Sequence, residues 1–276
     1  MSASGVDREA ALEHALAIAL TAGEGIARIY AGEFAVEYKG HDDPVTVADK
    51  DANALICAAL EKLYPGVPIV AEESDPATFA GFATEPLVWF VDPLDGTREF
   101  VARNGEFAVM IGLAEAGRAT LGVLVAPALG RTWIGGEGLG AFEVMPDGAR
   151  TPIRVSSRAT LADAEVLVSR SRQSDRSRDA VARLGARRVT LCGGAGIKGA
   201  RIACGEADIY AQAGRSGKLW DGCAPEAIVR AAGGEWTDGF GDRPSYATES
   251  LQNERGVLAT NGLLHAAALA IARTLD

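Results

Sequence analysis

The chain has 276 residues, enough for one large domain or two modest ones, and 48% hydrophobic with 23% charged residues is the balance of a globular protein. Its formal charge of −10 repels a phosphate-rich polymer, which excludes nucleic acid as a polymeric partner. Three histidines are too few for zinc chemistry built on imidazole.

Residues 1–7 carry no basic region leading into an apolar run, so no secretory signal is expected. Leu12, Ala15, Leu16, Ala19, Ile26 and Ile29 recur at helical spacing, which predicts an amphipathic helix over 7–31. A second helix is predicted over 49–64, with Leu55, Ile56, Ala59, Leu60 and Leu63 on its apolar face and Pro65-Gly66 ending it. Residues 67–71 and 87–91 read as strands. Apolar runs at 107–113, 120–125, 132–134 and 141–144, separated by glycine-containing turns, predict an antiparallel meander. The polar stretch 145–153 reads as a hairpin loop or a boundary, and the domain division is placed there. Beyond it, strands at 166–169, 188–191, 209–211 and 257–259 alternate with helices at 175–184, 195–205, 221–232 and 262–275. The fold class is therefore α/β (α+β): an α+β domain over 1–153 and an α/β domain over 154–276. No stretch of about 18 apolar residues occurs, so no membrane partner is expected. Cys57, Cys192, Cys204 and Cys223 show no C-x-x-C spacing and read as reduced thiols, which places the protein in the cytoplasm.

Three acidic clusters stand at element ends. Glu72-Glu73 follows Val67–Ala71, Asp92-Pro93-Leu94-Asp95-Gly96-Thr97 follows Trp89-Phe90-Val91, and Trp220-Asp221 opens an apolar helix. Acid at the end of a buried strand is costly unless a cation or hydrogen bonds receive it. Oxygen donors without histidine or thiolate select magnesium or manganese over zinc. Asp92 and Asp95 are spaced so that both can aim at one point, and the Leu94 carbonyl between them is a further candidate ligand. Gly96-Thr97 precedes a predicted helical turn whose free N–H groups suit a phosphate oxygen. Asp49 reads either as a helix cap or as a base that activates water, with the Thr97 hydroxyl as relay. Other motifs fail. Gly194-Ala195-Gly196-Ile197-Lys198-Gly199 fits G-x-G-x-x-G without the surrounding dinucleotide fold, Gly217-Lys218 lacks the rest of a P-loop, and no G-x-S-x-G elbow exists.

Together, Asp-Pro-Leu-Asp-Gly-Thr, the upstream Glu-Glu and the downstream Trp-Asp resemble the inositol monophosphatase superfamily of lithium-sensitive, magnesium-dependent phosphatases, over nearly the whole chain. The resemblance implies a layered αβαβα sandwich, with an antiparallel sheet in the N-terminal half and a mixed sheet in the C-terminal half. It implies that Glu72, Asp92 and the Leu94 carbonyl hold one Mg2+ and that Asp92, Asp95 and Asp221 hold a second. A third, weaker ion near Glu72, Mn2+ as a substitute and Li+ as an inhibitor come with it. Asp49, Thr97 and Glu72 are the implied catalytic residues, the first two as the water-activating pair. Gly96 and Thr97 match phosphate-binding amides. A homodimer is common in the family.

The segment from Gly193 to Lys198, and Gly217-Lys218-Leu219-Trp220-Asp221-Gly222-Cys223-Ala224-Pro225-Glu226, look closest to the 3′(2′),5′-bisphosphate nucleotidase branch. That branch implies a small phosphorylated metabolite, 3′-phosphoadenosine 5′-phosphate, as substrate, with an inositol or sugar phosphate as the alternative. Gly194, Ala195, Lys198, Gln212 and Lys218 join Gly96 and Thr97 as substrate-binding residues, and Lys198 is expected to meet the second phosphate. Gln212 stands where the inositol branch has a hydroxyl-binding glutamate. Gly222 replaces a commoner threonine, and Ala71 a commoner glycine or serine.

Overall fold

The computed structural model describes residues 5–39, 44–171 and 175–273. Helix α1 (Arg8–Ala31) starts at Asp7, whose carboxylate accepts the N–H groups of Glu9 and Ala10, and it buries Leu12, Ala15, Leu16, Ala19 and Ile26. Two short strands, β1 (Val36–Tyr38) and β2 (Pro44–Thr46), pair antiparallel and lead into α2 (Val47–Leu63). Strand β3 (Ile69–Ala71) lies parallel to β4 (Leu87–Asp95), which is buried along all nine residues. After the single turn of α3 (Thr97–Val101) come β5 (Ala108–Glu115), β6 (Arg118–Ala126), β7 (Arg131–Gly136), β8 (Gly140–Val144) and β9 (Arg150–Pro152), each antiparallel to its predecessor. The first sheet is thus seven strands in sequence order, antiparallel except for the β3–β4 edge.

The remaining chain runs β10 (Glu165–Ser169), α4 (Asp175–Arg183), β11 (Arg188–Cys192), α5 (Ala195–Ala203), β12 (Ile209–Gln212), α6 (Leu219–Ala231), β13 (Glu235–Thr237), β14 (Val257–Thr260) and α7 (His265–Ala272). Its five strands are ordered β11-β10-β12-β14-β13, parallel at β10 and antiparallel at β14, a mixed sheet. Helices α1 and α2 cover one face of the first sheet. Helices α5 and α6 lie between the two sheets, and α4 and α7 pack outside the second. Five layers result, helix–sheet–helix–sheet–helix.

The differences from expectation are local. Strand β4 runs four residues beyond the predicted end at 91, so Asp92 and Asp95 belong to the strand itself. The polar stretch 145–153 is a hairpin turn returning as β9. Strands β1, β2 and β13 are three residues each and carry too little pattern to be seen in sequence. The last helix runs from His265 to Ala272 rather than from 262, and its predicted end at 275 lies outside the described residues.

Helix α6 can sit close to the first sheet because of three glycines. Gly112 faces Gly122 across β5–β6, and Gly122 faces Gly135 across β6–β7. A Cβ at Gly112 would stand 2.7 Å from Cys223 Sγ, and one at Gly122 would run into the Ala224 carbonyl. This row seats the helix that carries Asp221.

Candidate functional site

Three segments converge on one cleft of about 590 Å³. Residues three apart on a regular strand point to opposite faces. In β4, however, Asp92 pairs with Met110 and Asp95 with Ala108, so β4 carries one extra residue between the two aspartates. This bulge lies between them, at Pro93-Leu94, where the proline has no N–H to give to the ladder. It turns both carboxylates toward α6. Val88 and Phe90, on the same face as Asp92, pack against Trp220, while Trp89 and Val91 face the cluster of α1 and α2. Asp221 arrives from the first turn of α6, its carboxylate accepting the Lys218 N–H. Carboxylate oxygens of Asp92, Asp95 and Asp221 then lie within 4.8 Å of one another. Glu72, just past β3, lines the same cleft, with Lys39 Nζ 3.9 Å from its Oε1.

The electrostatics are those of crowded acid. Glu72 is pushed up to about 8, first by burial and then by Asp221. Asp92 is raised well above the usual carboxylate range by burial, then by Glu72, Asp95 and Asp221. Glu72 and Asp92, crowded by each other and by Asp95 and Asp221, hold on to their protons in a site whose charge a cation balances, and oxygen is the only donor type. The residues therefore fit a hard divalent ion.

Asp49 does not line the cleft. It sits behind Thr97, with its two oxygens divided between tasks. Oδ2 accepts the Thr46 N–H at 2.8 Å and the Thr46 hydroxyl at 2.7 Å, closing the capping box of α2. Oδ1 accepts the Thr97 hydroxyl at 2.9 Å. Asp49 is thus the third residue of the helix rather than its cap. Burial raises its proton affinity, against the hydrogen bonds from Thr46 and Thr97. Leu94 O lies 3.2 Å from Thr97 Oγ1. Gly96 and Thr97 line the cleft at the start of α3. Gly96 has φ +92, and a Cβ there would stand 3.0 Å from Glu106 O.

Gly194, Ala195, Lys198, Gln212 and Lys218 all line the same cleft. The amides at the start of α5 meet protein, however. Asp95 accepts Ala195 N–H at 3.0 Å and Gly196 N–H at 2.7 Å, so one carboxylate serves the acidic cluster and caps α5. Lys198 is 3% exposed, which rules out a solvated helix residue. Its ammonium donates to Gly193 O and Gly194 O, each at 2.7 Å, and lies 4.9 Å from the Tyr210 ring. Gln212 Oε1 accepts the Tyr210 hydroxyl at 2.9 Å.

Sequence reasoning missed Arg98, Arg215, Ser216, Gln252 and Asn253, which also line the cleft. Arg98 follows Thr97 in α3, whereas the other four are isolated polar residues on loops, and nothing in their local pattern announces that the chain returns there.

The comparisons with known proteins agree with this geometry. The profile of the "Inositol monophosphatase family" matches residues 7–276. The 3′(2′),5′-bisphosphate nucleotidase CysQ of Salmonella typhimurium is 37% identical over 85% of this chain and 93% of its own. The human 3′(2′),5′-bisphosphate nucleotidase 1 is 32% identical, over 89% of each chain. Among solved structures, an inositol monophosphatase from Anabaena superposes with a TM-score of 0.81 at 26% identity, covering 98% of both chains. The extragenic suppressor protein suhB of Bartonella henselae gives 0.83 at 25% identity, over 96% of this chain and 98% of that one. This chain belongs to the inositol monophosphatase family of phosphatases.

Proposed function

We propose that the protein is a magnesium-dependent 3′(2′),5′-bisphosphate nucleotidase that removes the 3′-phosphate of 3′-phosphoadenosine 5′-phosphate, giving AMP and phosphate. The convergence of Asp92, Asp95 and Asp221 from a bulged strand and a distant helix carries the chemistry, and the names of the similar proteins carry the substrate. Glu72, Asp92, Asp95, Asp221 and the Leu94 carbonyl would hold the ions, Mg2+ foremost, with Mn2+ able to meet the same oxygens and Li+ inhibitory. When bound, the cations balance the clustered carboxylates, activate water and stabilise charge on the phosphoryl group and the leaving oxygen.

The chain's own residues do the rest. The Thr97 hydroxyl donates to Asp49, so its oxygen can accept a proton from the attacking water while its own proton passes to Asp49. Burial makes Asp49 a stronger base than a surface carboxylate. The amides at Gly96 and Thr97 stand ready for phosphate oxygens. Four free cysteines suit a reducing compartment, and we place the reaction in the cytoplasm.

Phosphate release with Mg2+ present tests the reading. The bisphosphate nucleotide is expected to turn over with a higher kcat/KM than inositol 1-phosphate. Rapid hydrolysis of inositol 1-phosphate with none of the nucleotide would favour an inositol monophosphatase, the reading supported by the Gln212 amide at the cleft, which can bond a hydroxyl.

A further inference from the structure

The substrate just proposed carries two phosphates, and the carboxylate cluster with the Gly96–Thr97 amides accounts for one. Among the described residues, the cationic side chains lining the cleft are Arg98, Lys198, Arg215 and Lys218. Arg98 belongs to α3, beside the acidic cluster, and reaches Ser171 O at 3.4 Å. Lys198 is buried and gives two of its three donors to the Gly193 and Gly194 carbonyls. The other two stand on the loop joining β12 to α6, with Ser216 between them.

Ser216 is 6% exposed and lines the cleft, yet its hydroxyl has no hydrogen-bond partner. A buried hydroxyl without a partner is unfavourable, and a ligand oxygen would relieve it. The loop is held in place by its backbone. Ser216 N–H donates to Asn253 O at 2.9 Å, and Asn253 N–H donates to Gly217 O at 3.1 Å. Gly217 has φ +65, and a Cβ there would stand 2.6 Å from Asp221 Oδ2, so the turn is fixed against the acidic cluster. Arg215 pairs loosely with Glu254, at 3.8 Å between two largely exposed side chains, a contact that a phosphate can replace at little cost. Lys218 Nζ lies 5.0 Å from the Trp220 ring.

We propose that Arg215, Ser216 and Lys218 form the subsite for the substrate's second phosphate, the one that is not hydrolysed; this rests on the nucleotidase reading. The arginine fork and the serine hydroxyl bond phosphate oxygens directly, and the lysine adds a point charge. Arg215 and Ser216 thereby become specificity-determining residues.

Steady-state kinetics on 3′-phosphoadenosine 5′-phosphate and on 3′-AMP, which lacks the 5′-phosphate, test it. The unaltered protein is expected to prefer the bisphosphate. The double variant R215A/S216A is expected to lower the ratio of the two kcat/KM values by about tenfold or more, mainly through KM for the bisphosphate. R215K should recover part of the loss, and an unchanged Tm will show that the fold is retained. Equal losses on both substrates, or an unchanged ratio, overturn the subsite while leaving the nucleotidase reading intact. Failure of the unaltered protein to hydrolyse the bisphosphate overturns that reading and this inference with it.

Discussion

Asp49 shows how one side chain answers to two demands. Its Oδ2 closes a capping box and its Oδ1 accepts the hydrogen bond of the Thr97 hydroxyl, so the helix start and the proposed proton path share a carboxylate. Replacing Thr97 by valine keeps the volume and removes the relay. kcat is expected to fall by about 10²–10³ at saturating Mg2+, with little change in Tm, as checked by kinetics and calorimetry. Glu72 gives a pH prediction. Its carboxyl rises from 4.5 to about 8 in the fold, so its contribution to stability is fully present below pH 4.5 and is lost as pH climbs through 8. With EDTA present, Tm is expected to fall by several degrees between pH 6 and 9, and Mg2+ should abolish that fall; scanning fluorimetry reads both. The acids themselves were legible in sequence, since carboxylates at strand ends need a counter-charge. The engagement of Lys198 with two carbonyls was not, because a lysine in a helix looks the same whether its ammonium faces water or a loop.

At the scale of elements, the bulge in β4 and the glycine row under α6 do the positioning. Asp-Pro-Leu-Asp suggested two acids around a proline, but the extra residue that puts both on one face appears only when β5 is laid beside it. Gly112, Gly122 and Gly135 lie on three strands, far apart in sequence, and only the register aligns them. Gly122→Val would force α6 off the sheet. An overpacking cost of about 3 kcal/mol is expected, together with a loss of activity as Asp221 is displaced, measured by denaturant unfolding and phosphate release. The long amphipathic helices and the meander were readable because their periodicity spans several turns or strands. The three-residue strands β1, β2 and β13 were not, since pairing alone creates them.

Over the whole molecule, the proposed division at 153/154 separates two sheets that share a core. Met110, Leu124 and Trp133 from the first half pack in one cluster with Ile197, Ala200 and Ile228 from the second. We propose that the halves are not independent folding units. A single calorimetric transition is expected for the whole chain, and residues 1–153 alone should lack the dispersed amide spectrum of a fold. Two separate transitions would sink the idea. Among the described residues no helix is long and apolar enough to cross a membrane.

By itself the sequence determined most of the element types and the acidic clusters, because these depend on residue types at short spacing, and the resemblance those clusters carry led to the layered class, the phosphatase family and the proposed ligand set. Tertiary structure alone decided that Asp95 caps α5, that Lys198 braces the Gly193–Gly194 turn, and that Arg215 and Ser216 share the cleft with Asp92. These are contacts between segments distant along the chain. They exist only once the glycine row and the shared core have brought the two sheets onto opposite faces of α6.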